Sequence, residues 1–208
     1  MAEKTAKEVA GEAKAISIEL IKKLKELSGV GLTDAKKALV EAKGDFDKAL
    51  EAMRKKGLTK AEKRGDRETR EGIIDAYVHD GRLGAIVEVN CETSFVAKTD
   101  EFKTLAHQIA MQIASMNPLY VSEADIPAEV KEAKMKELEA NFKGPEKMKD
   151  QILEAQAKKA FSDKVLMSQP YILDDSKTVE QFIKEAIAKT GENIVVKQFK
   201  RIELGVTE

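Results

Sequence analysis

The sequence predicts an α+β protein: a small three-helix module followed by a core domain in which a three-stranded antiparallel sheet packs with helices and a helical hairpin. Three observations support this prediction. Apolar residues in the first 57 positions recur at helical spacing, those between 72 and 90 alternate around an Asp-Gly pair, and the chain ends with a helical pattern followed by a strand pattern. The changes of period divide the chain into a flexible extension (1–15), the helical module (16–57), a charged linker (58–71) and the core (72–208).

The helical module is predicted from its helix boundaries and its apolar spacing. Each helix is preceded by a residue whose side chain can accept hydrogen bonds from the first helical turn: Ser17, Thr33 and Asp45. Glycines are predicted to end the three helices: Gly29 with Gly31, then Gly44, then Gly57. The packed stripe of the first helix is predicted to contain four residues: Leu20, Ile21, Leu24 and Leu27.

The linker is dense in both signs of charge and shows no apolar periodicity after Leu58. It is predicted to be a solvated spacer or an exposed helix. Its basic residues leave open a second interpretation, a contact patch: Lys60, Lys63, Arg64, Arg67 and Arg70.

The core begins with a hairpin over residues 72–90, because Asp80-Gly81 separates two alternating runs and both positions tolerate positive φ. A helix then follows from its predicted cap, Thr99, to Asn117-Pro118. Charged helical segments over residues 127–168, interrupted at Gly144-Pro145, predict a helical hairpin. Its two apolar seams are Met135, Leu138 and Phe142 on one helix, and Met148, Ile152 and Ala155 on the other.

The last helix and strand complete the core. Thr178 and Gln181 have the spacing of a capping box, and Gly191 is predicted to end the helix that they begin. The residues from Ile194 to Leu204 are then predicted to form the third strand.

Composition excludes several classes of function. Lys and Arg number 36 against 37 acids, a net charge of -1, which disfavours direct nucleic-acid binding as the main task. A single cysteine, Cys91, cannot form an intrachain disulfide, and no apolar run approaches the roughly 20 residues of a membrane span. We therefore expect a cytoplasmic protein with no membrane contact.

No catalytic, metal or cofactor motif is present in the sequence. His79 and His107 lack metal-ligand spacing and are expected at the surface, and Cys91 is expected to be a buried structural thiol. No glycine-rich phosphate-binding loop occurs. The residues alone therefore predict a protein that is not an enzyme, binds no cofactor or metal, and acts by contact.

Two runs identify a family. Residues 24–39 (LKELSGVGLTDAKKAL) resemble the N-terminal signature of the elongation factor Ts family, and residues 88–98 (EVNCETSFVAK) resemble its second signature. The stretch from Ile187 to Gly205 is similar as well, so the resemblance covers nearly everything after Ile16.

The resemblance implies a helical domain of ubiquitin-associated type and a guanine nucleotide exchange factor for the GTPase elongation factor Tu. The second signature implies that Phe95 is inserted into the GTPase and disturbs its Mg and phosphate site. The implied partner contacts are Thr93, Ser94, Phe95, Val96, Ala97 and Lys98 in the core, and Lys25, Leu32, Thr33 and Asp34 in the helical module. The chain length resembles the short form of the family, which implies a homodimer and a 2:2 complex. Phe199-Lys200-Arg201 holds no thiol that could link the dimer, so the subunits would associate noncovalently.

One position departs from the family pattern. The signature has Asp immediately before the Phe, whereas this chain has Ser94. A hydroxyl can still donate or accept a hydrogen bond, and Ser94 is a candidate cap for a helix start. We therefore expect a weaker or differently arranged polar contact with the GTPase.

Alternative interpretations remain at this point. Phe95 stands seven residues before Phe102, so an unbroken helix would place it in the core. Leu32 is a candidate for packing inside the module, and Lys25 for a plain exposed charge. Two other functions are open: a module that binds peptide or ubiquitin-like partners, and an RNA-associated translation protein.

Overall fold

The computed structural model describes residues 16–28, 31–142, 144–145 and 148–206, apart from the side chains of Leu58 and Lys60. The predicted extension at 1–15, and Gly29, lie outside the described residues. The chain forms two compact units. The first contains the described residues up to Glu68 together with Ile183–Asn193, and the second contains Thr69–Phe182 and the described residues from Ile194 onward.

The predicted α+β fold is confirmed. The helices are α1 (Ile18–Ser28), α2 (Leu32–Glu41), α3 (Phe46–Glu62), α4 (Ser94–Ala97), α5 (Asp100–Met116), α6 (Ala128–Ala140), α7 (Lys149–Phe161) and α8 (Val179–Thr190). The strands are β1 (Glu71–His79), β2 (Leu83–Cys91), β3 (Pro170–Tyr171), β4 (Asp174–Thr178) and β5 (Ile194–Glu203). Among the described residues, no helix is long and apolar enough to cross a membrane.

Helices α1 to α3 pack around a small apolar core, as predicted. The backbone N–H of Leu20 donates to Ser17 Oγ at 3.1 Å, and that of Lys48 donates to Asp45 Oδ1 at 3.1 Å, which confirms two of the three predicted caps. Gly44 has φ of +81°, a conformation that favours glycine and ends the turn after α2. The buried residues of this core are Ile21, Leu24, Ala35, Ala38, Leu39, Ala49 and Met53.

Three predictions for this module are wrong. Gly31, not Thr33, occupies the N-cap position of α2, and no side chain caps that helix. Leu27 is 54% exposed and lies outside the packed stripe. Gly57 does not end α3, which continues to Glu62. Gly57 instead permits a close approach, because a Cβ placed there would lie 3.1 Å from the Cβ of Ala188 on α8.

The middle of the segment predicted as a linker forms hydrogen bonds within the first unit. The side-chain amide of Asn193 is buried and donates to the carbonyl oxygens of Gly65 at 3.2 Å and Arg67 at 2.8 Å. The guanidinium of Arg64 donates to the carbonyl of Ile187 at 3.4 Å. Because these partners lie more than 120 residues away in sequence, local patterns could not reveal them.

The three-stranded sheet has the order β1-β2-β5 with antiparallel pairing throughout. Asp80 and Gly81 have φ of 49° and 66°, which confirms the predicted turn between β1 and β2. The inner face of β2 is buried and packs with α5. The outer face carries exposed apolar side chains, which we name the outer sheet face: Ile74, Ala76, Val78, Ile86 and Ile202.

The helices of the core begin and end largely where the sequence predicted. The N–H of Phe102 donates to Thr99 Oγ1, and Asn117 closes α5 in the left-handed region with φ of 47°. The capping box of α8 is present, with reciprocal bonds between Thr178 and Gln181 of 3.0 and 3.2 Å. In the helical hairpin, Leu153 is the buried residue of α7, whereas Met148 and Ala155 are exposed and their predicted place in the seam is wrong.

A second, two-stranded sheet of β3 and β4 was not predicted. It is attached to α5 by Gln112, whose amide nitrogen donates to Gln169 Oε1 and to the carbonyl of Pro170, both at 3.1 Å. The N–H of Ile172 donates in turn to Gln112 Oε1 at 2.8 Å. Gln112 and Gln169 are almost fully buried, and the side-chain amide of Gln169 donates to the carbonyls of Met116 at 3.1 Å and Asp163 at 2.8 Å. The polar atoms of both side chains are therefore hydrogen-bonded.

Candidate partner-binding site

Helix α4 is a single turn that follows directly from the end of β2 and contains most of the second family signature. Thr93 occupies its N-cap position with extended backbone, and its side chain makes no cap bond to the helix. Ser94 is the first helical residue, so its predicted capping role is wrong. Lys98 follows the helix as its C-cap and is exposed.

The residues of α4 differ sharply in burial. Ala97 is 5% exposed and seals the helix against the core, Val96 is half-buried, and Phe95 is 86% exposed. Phe95 is thereby the most exposed large apolar side chain among the described residues. Burying an exposed phenyl ring against another protein would contribute about 2–3 kcal/mol.

The break between α4 and α5 explains this exposure. Thr99 has φ of −69° and ψ of 146°, an extended conformation that interrupts the helical path. Phe102, which follows the break, is 1% exposed and lies in the core. The continuous stripe that would have buried Phe95 together with Phe102 therefore does not form.

Both ends of α4 are attached to the core by side chains. At its start, the buried thiol of Cys91 donates to the carbonyl of Thr93 at 3.2 Å. At its end, the hydroxyl of Thr99 donates to the carbonyl of Val96 at 2.8 Å. Since one helical turn is unstable alone, these bonds contribute to the stability of α4.

The acidic residue of the second signature has a role within the sheet. Glu88 accepts hydrogen bonds from the side-chain amides of Gln198 at 2.8 Å and Asn90 at 3.2 Å. These bonds, first that of Gln198, hold the pKa of Glu88 below its ordinary value, because they stabilise the ionised form. Glu88 therefore joins β2 to β5 beside the irregularity at Glu88/Val89.

The four candidate residues of the helical module lie in the first unit, at the end of α1 and the start of α2. Lys25 and Thr33 are exposed, and Leu32 is 48% exposed, so packing inside the module does not account for Leu32. Asp34 faces Lys56 of α3, with 3.1 Å between Oδ1 and Nζ. Leu27 is an additional exposed apolar residue, which the helical spacing had assigned to the core.

The two histidines lie at the surface, as predicted. His107 Nδ1 lies 2.9 Å from Asp75 Oδ2, and the ring of Tyr77 meets that of His107 edge-on with centroids 5.8 Å apart. His79 Nδ1 lies 3.0 Å from the hydroxyl of Tyr77. Within the part of the chain that the structure describes, no group of three or more His, Cys, Asp or Glu side chains could hold a metal ion.

The sequence matches known proteins over nearly its full length. A family model described as Elongation factor TS matches residues 2–206. The chain belongs to the elongation factor Ts family. Because both the helical module and the core fall within the match, the alternative of a peptide-binding module with an appended sheet loses its support.

Individual relatives agree with this assignment. Elongation factor Ts of Thermotoga sp. (strain RQ2) is 53% identical over 192 residues, which cover 91% of this chain and 96% of that protein. Elongation factor Ts of Coprothermobacter proteolyticus is 49% identical over 195 residues, which cover 91% of this chain and 98% of that protein. Elongation factor Ts of Thermoanaerobacter sp. (strain X514) is 47% identical over 194 residues, which cover 91% of this chain and 95% of that protein. Membership of the elongation factor Ts family implies a nucleotide exchange factor for elongation factor Tu in translation.

Proposed function

We propose that this member of the elongation factor Ts family releases GDP from elongation factor Tu by inserting Phe95 into the G domain of the GTPase, where the ring disturbs the Mg and phosphate site. The observation that supports this proposal is the display of Phe95, 86% exposed on a helix attached at both ends. The chain itself makes or breaks no covalent bond in this process and needs no cofactor.

The energetics of exchange require more than one ring. The factor must bind the nucleotide-free GTPase more tightly than the loaded one, and by linkage the nucleotide weakens the factor's binding by the same ratio. Burying the Phe95 ring contributes about 2–3 kcal/mol. Shifting an equilibrium from 1:99 to 99:1 needs about 5.5 kcal/mol, so other contacts must supply the remainder.

Around Phe95 we propose that the neighbouring residues bind the same face of the GTPase. Thr93 and Lys98 are exposed at the two ends of α4, and Ser94 and Val96 are half-buried beside the ring. Ala97 is almost fully buried, so its contribution is to pack α4 against the core and not to contact the GTPase directly. Ser94 offers the GTPase a neutral hydroxyl where the family signature has a carboxylate.

We propose a second contact through the helical module, which we take to be of ubiquitin-associated type. Leu32 supplies an apolar contact and Lys25 a positive charge, with Thr33 beside them. Asp34 is placed at the same end of α2, although its carboxylate already pairs with Lys56. This contact adds binding free energy without entering the nucleotide site.

We also propose that the protein is a homodimer that forms a 2:2 complex with elongation factor Tu. The outer sheet face supports this, because large apolar side chains on it are strongly exposed: Ile202 is 74%, Ile74 69% and Val78 67% exposed. A second copy of the same face would bury these side chains, and a two-fold axis requires only such a self-complementary surface.

Release of fluorescent GDP from elongation factor Tu, measured by stopped flow, tests the exchange proposal. The parent protein should accelerate release, and Phe95→Ala should reduce that acceleration at least about tenfold, since each 1.4 kcal/mol is a factor of ten. Leu119→Ala removes an apolar side chain that is 55% exposed elsewhere in the same unit and should have no effect. Parental release rates with Phe95→Ala would show that Phe95 does not act by insertion. A parent protein that gives no acceleration would overturn the exchange proposal itself.

A further inference from the structure

The orientation of Phe95 depends on how the end of α4 is held. The four residues Ser94–Ala97 allow one helical backbone bond from the N–H of Ala97 to the carbonyl of Thr93, at 3.3 Å. A single turn does not persist without further interactions. The ring direction therefore depends on the packing of the buried Ala97 and on the bonds that connect α4 to the core.

Thr99 provides such a connection through a single atom. Its Oγ1 donates to the carbonyl of Val96 at 2.8 Å and accepts from the N–H of Phe102 at 3.2 Å. The backbone N–H of Thr99 donates to the same Val96 carbonyl at 3.0 Å, so the hydroxyl supplies a second bond to that atom. Phe102 is 1% exposed, so its backbone is anchored by the core that α5 forms with the sheet. The hydroxyl thus joins the last turn of the displayed helix to the first turn of a buried one.

We propose that Thr99 is a positioning residue for exchange: its hydroxyl holds α4 so that Phe95 projects in the direction required for insertion. This inference rests on the proposed insertion of Phe95. It assigns to Thr99 a role beyond capping α5. The cap needs only a hydrogen-bond acceptor, whereas the bond to the carbonyl of Val96 needs a donor.

Substitutions of Thr99 differ in which of its two side-chain hydrogen bonds they keep. Ser keeps both the donor and the acceptor. Asp keeps the acceptor and remains a good helix cap, but when ionised it cannot donate to the carbonyl of Val96. Val has nearly the shape of Thr and lacks both functions.

The test measures GDP release from elongation factor Tu over a range of factor concentrations, so that the maximal rate and the half-saturating concentration are obtained separately. Thr99→Val and Thr99→Asp should lower the maximal rate about three- to tenfold, the effect of losing one hydrogen bond, while the half-saturating concentration changes little. Thr99→Ser should restore release to within about twofold of the parent. Because Thr99→Asp keeps the cap, it remains informative even if Thr99→Val is poorly folded.

Thr178→Val is the matched control. Thr178 caps α8 by the same type of bond, from the N–H of Gln181 to its hydroxyl at 3.2 Å, so its loss lowers stability to a similar degree at a place remote from α4 in sequence. We expect parental release rates for this variant. Equal loss of exchange in Thr178→Val and Thr99→Val would mean that general destabilisation, and not positioning, explains the result.

A double-mutant comparison separates the two proposals. With Phe95→Ala already present, Thr99→Val should cause no further loss, since no ring remains to be positioned. If Phe95→Ala slows release but Thr99→Val and Thr99→Asp release GDP at the parental rate, or if Thr99→Val adds its full loss to Phe95→Ala, Thr99 is not a positioning residue. If Phe95→Ala itself has no effect on release, the proposed insertion of Phe95 is wrong, and the positioning role of Thr99 is wrong as well.

Discussion

The carboxylate of Asp34 and the ammonium of Lys56 lie 3.1 Å apart and join α2 to α3 within the helical module. Both side chains are partly exposed, 28% for Asp34 and 49% for Lys56. Asp34 stands beside Leu32, which is 48% exposed and has no comparable role inside the module. Asp34 therefore contributes an ion pair to the module, whereas the contact that we propose for Leu32 is with elongation factor Tu.

Substitutions at these two positions should separate stability from binding. Leu32→Ala should leave the melting temperature unchanged and weaken the affinity for elongation factor Tu about five- to tenfold, because about 1 kcal/mol of apolar contact is lost. Asp34→Asn should cost no more than about 1 kcal/mol of unfolding free energy, the usual contribution of a surface ion pair. Titration calorimetry and urea unfolding measure the two quantities.

Val40→Ala is the control for the Leu32 experiment. Val40 is 56% exposed on the same helix but lies outside the predicted contact residues, so its truncation should not change affinity. A similar loss of affinity for Val40→Ala, or none for Leu32→Ala, would count against the assigned contact.

Ser94→Asp should strengthen binding to elongation factor Tu. A carboxylate forms hydrogen bonds roughly twice as strong as a hydroxyl does, so we expect affinity to rise about fivefold in a titration. Ser94→Asn introduces a side chain of the same size as Asp but without its charge, and this variant should bind within about twofold of the parent. A weaker complex with Ser94→Asp would show that this serine is adapted to the GTPase that it meets.

Ile202→Glu should convert the proposed dimer to a monomer. Ile202 is the most exposed apolar residue of the outer sheet face, and burying a carboxylate in an apolar interface without a partner is strongly unfavourable. Sedimentation equilibrium should give the mass of two chains for the parent and that of one, 23.0 kDa, for the variant.

Leu119→Glu provides the comparison for that measurement. Leu119 is 55% exposed and does not belong to the outer sheet face, so this variant should keep the parental mass. A monomeric parent at micromolar concentration would remove the dimer from the proposal, and a dimeric Ile202→Glu would place the interface elsewhere.

Local signals predicted most of the element boundaries correctly. Ser17, Asp45 and Thr99 cap their helices within three residues of the groups that they satisfy, and Asp80-Gly81 forms the turn it favours. Such devices depend only on neighbouring backbone, and a single sequence therefore contains the information needed to find them.

Two of the differences from the predicted fold have a non-local cause. Glycine usually breaks helices, so the sequence predicts a helix end at Gly57, whereas its missing Cβ leaves room for Ala188, more than 130 residues later. The sheet of β3 and β4 depends on Gln112, a polar residue that helical spacing does not place in a core. The spacing of residues within one segment does not reveal which distant segment it will contact.

The sequence by itself determined the family and the order of elements, because two signatures and a set of caps and turns are local properties of the chain. It did not determine the position of the ring of Phe95, which helical spacing from Phe102 would have buried. The tertiary structure decided that point: the extended backbone of Thr99 separates α4 from α5, and the sheet buries Phe102 while Phe95 stays in solvent. Helical spacing predicts a shared face only within a continuous helix, and whether the helix continues depends on the packing around it.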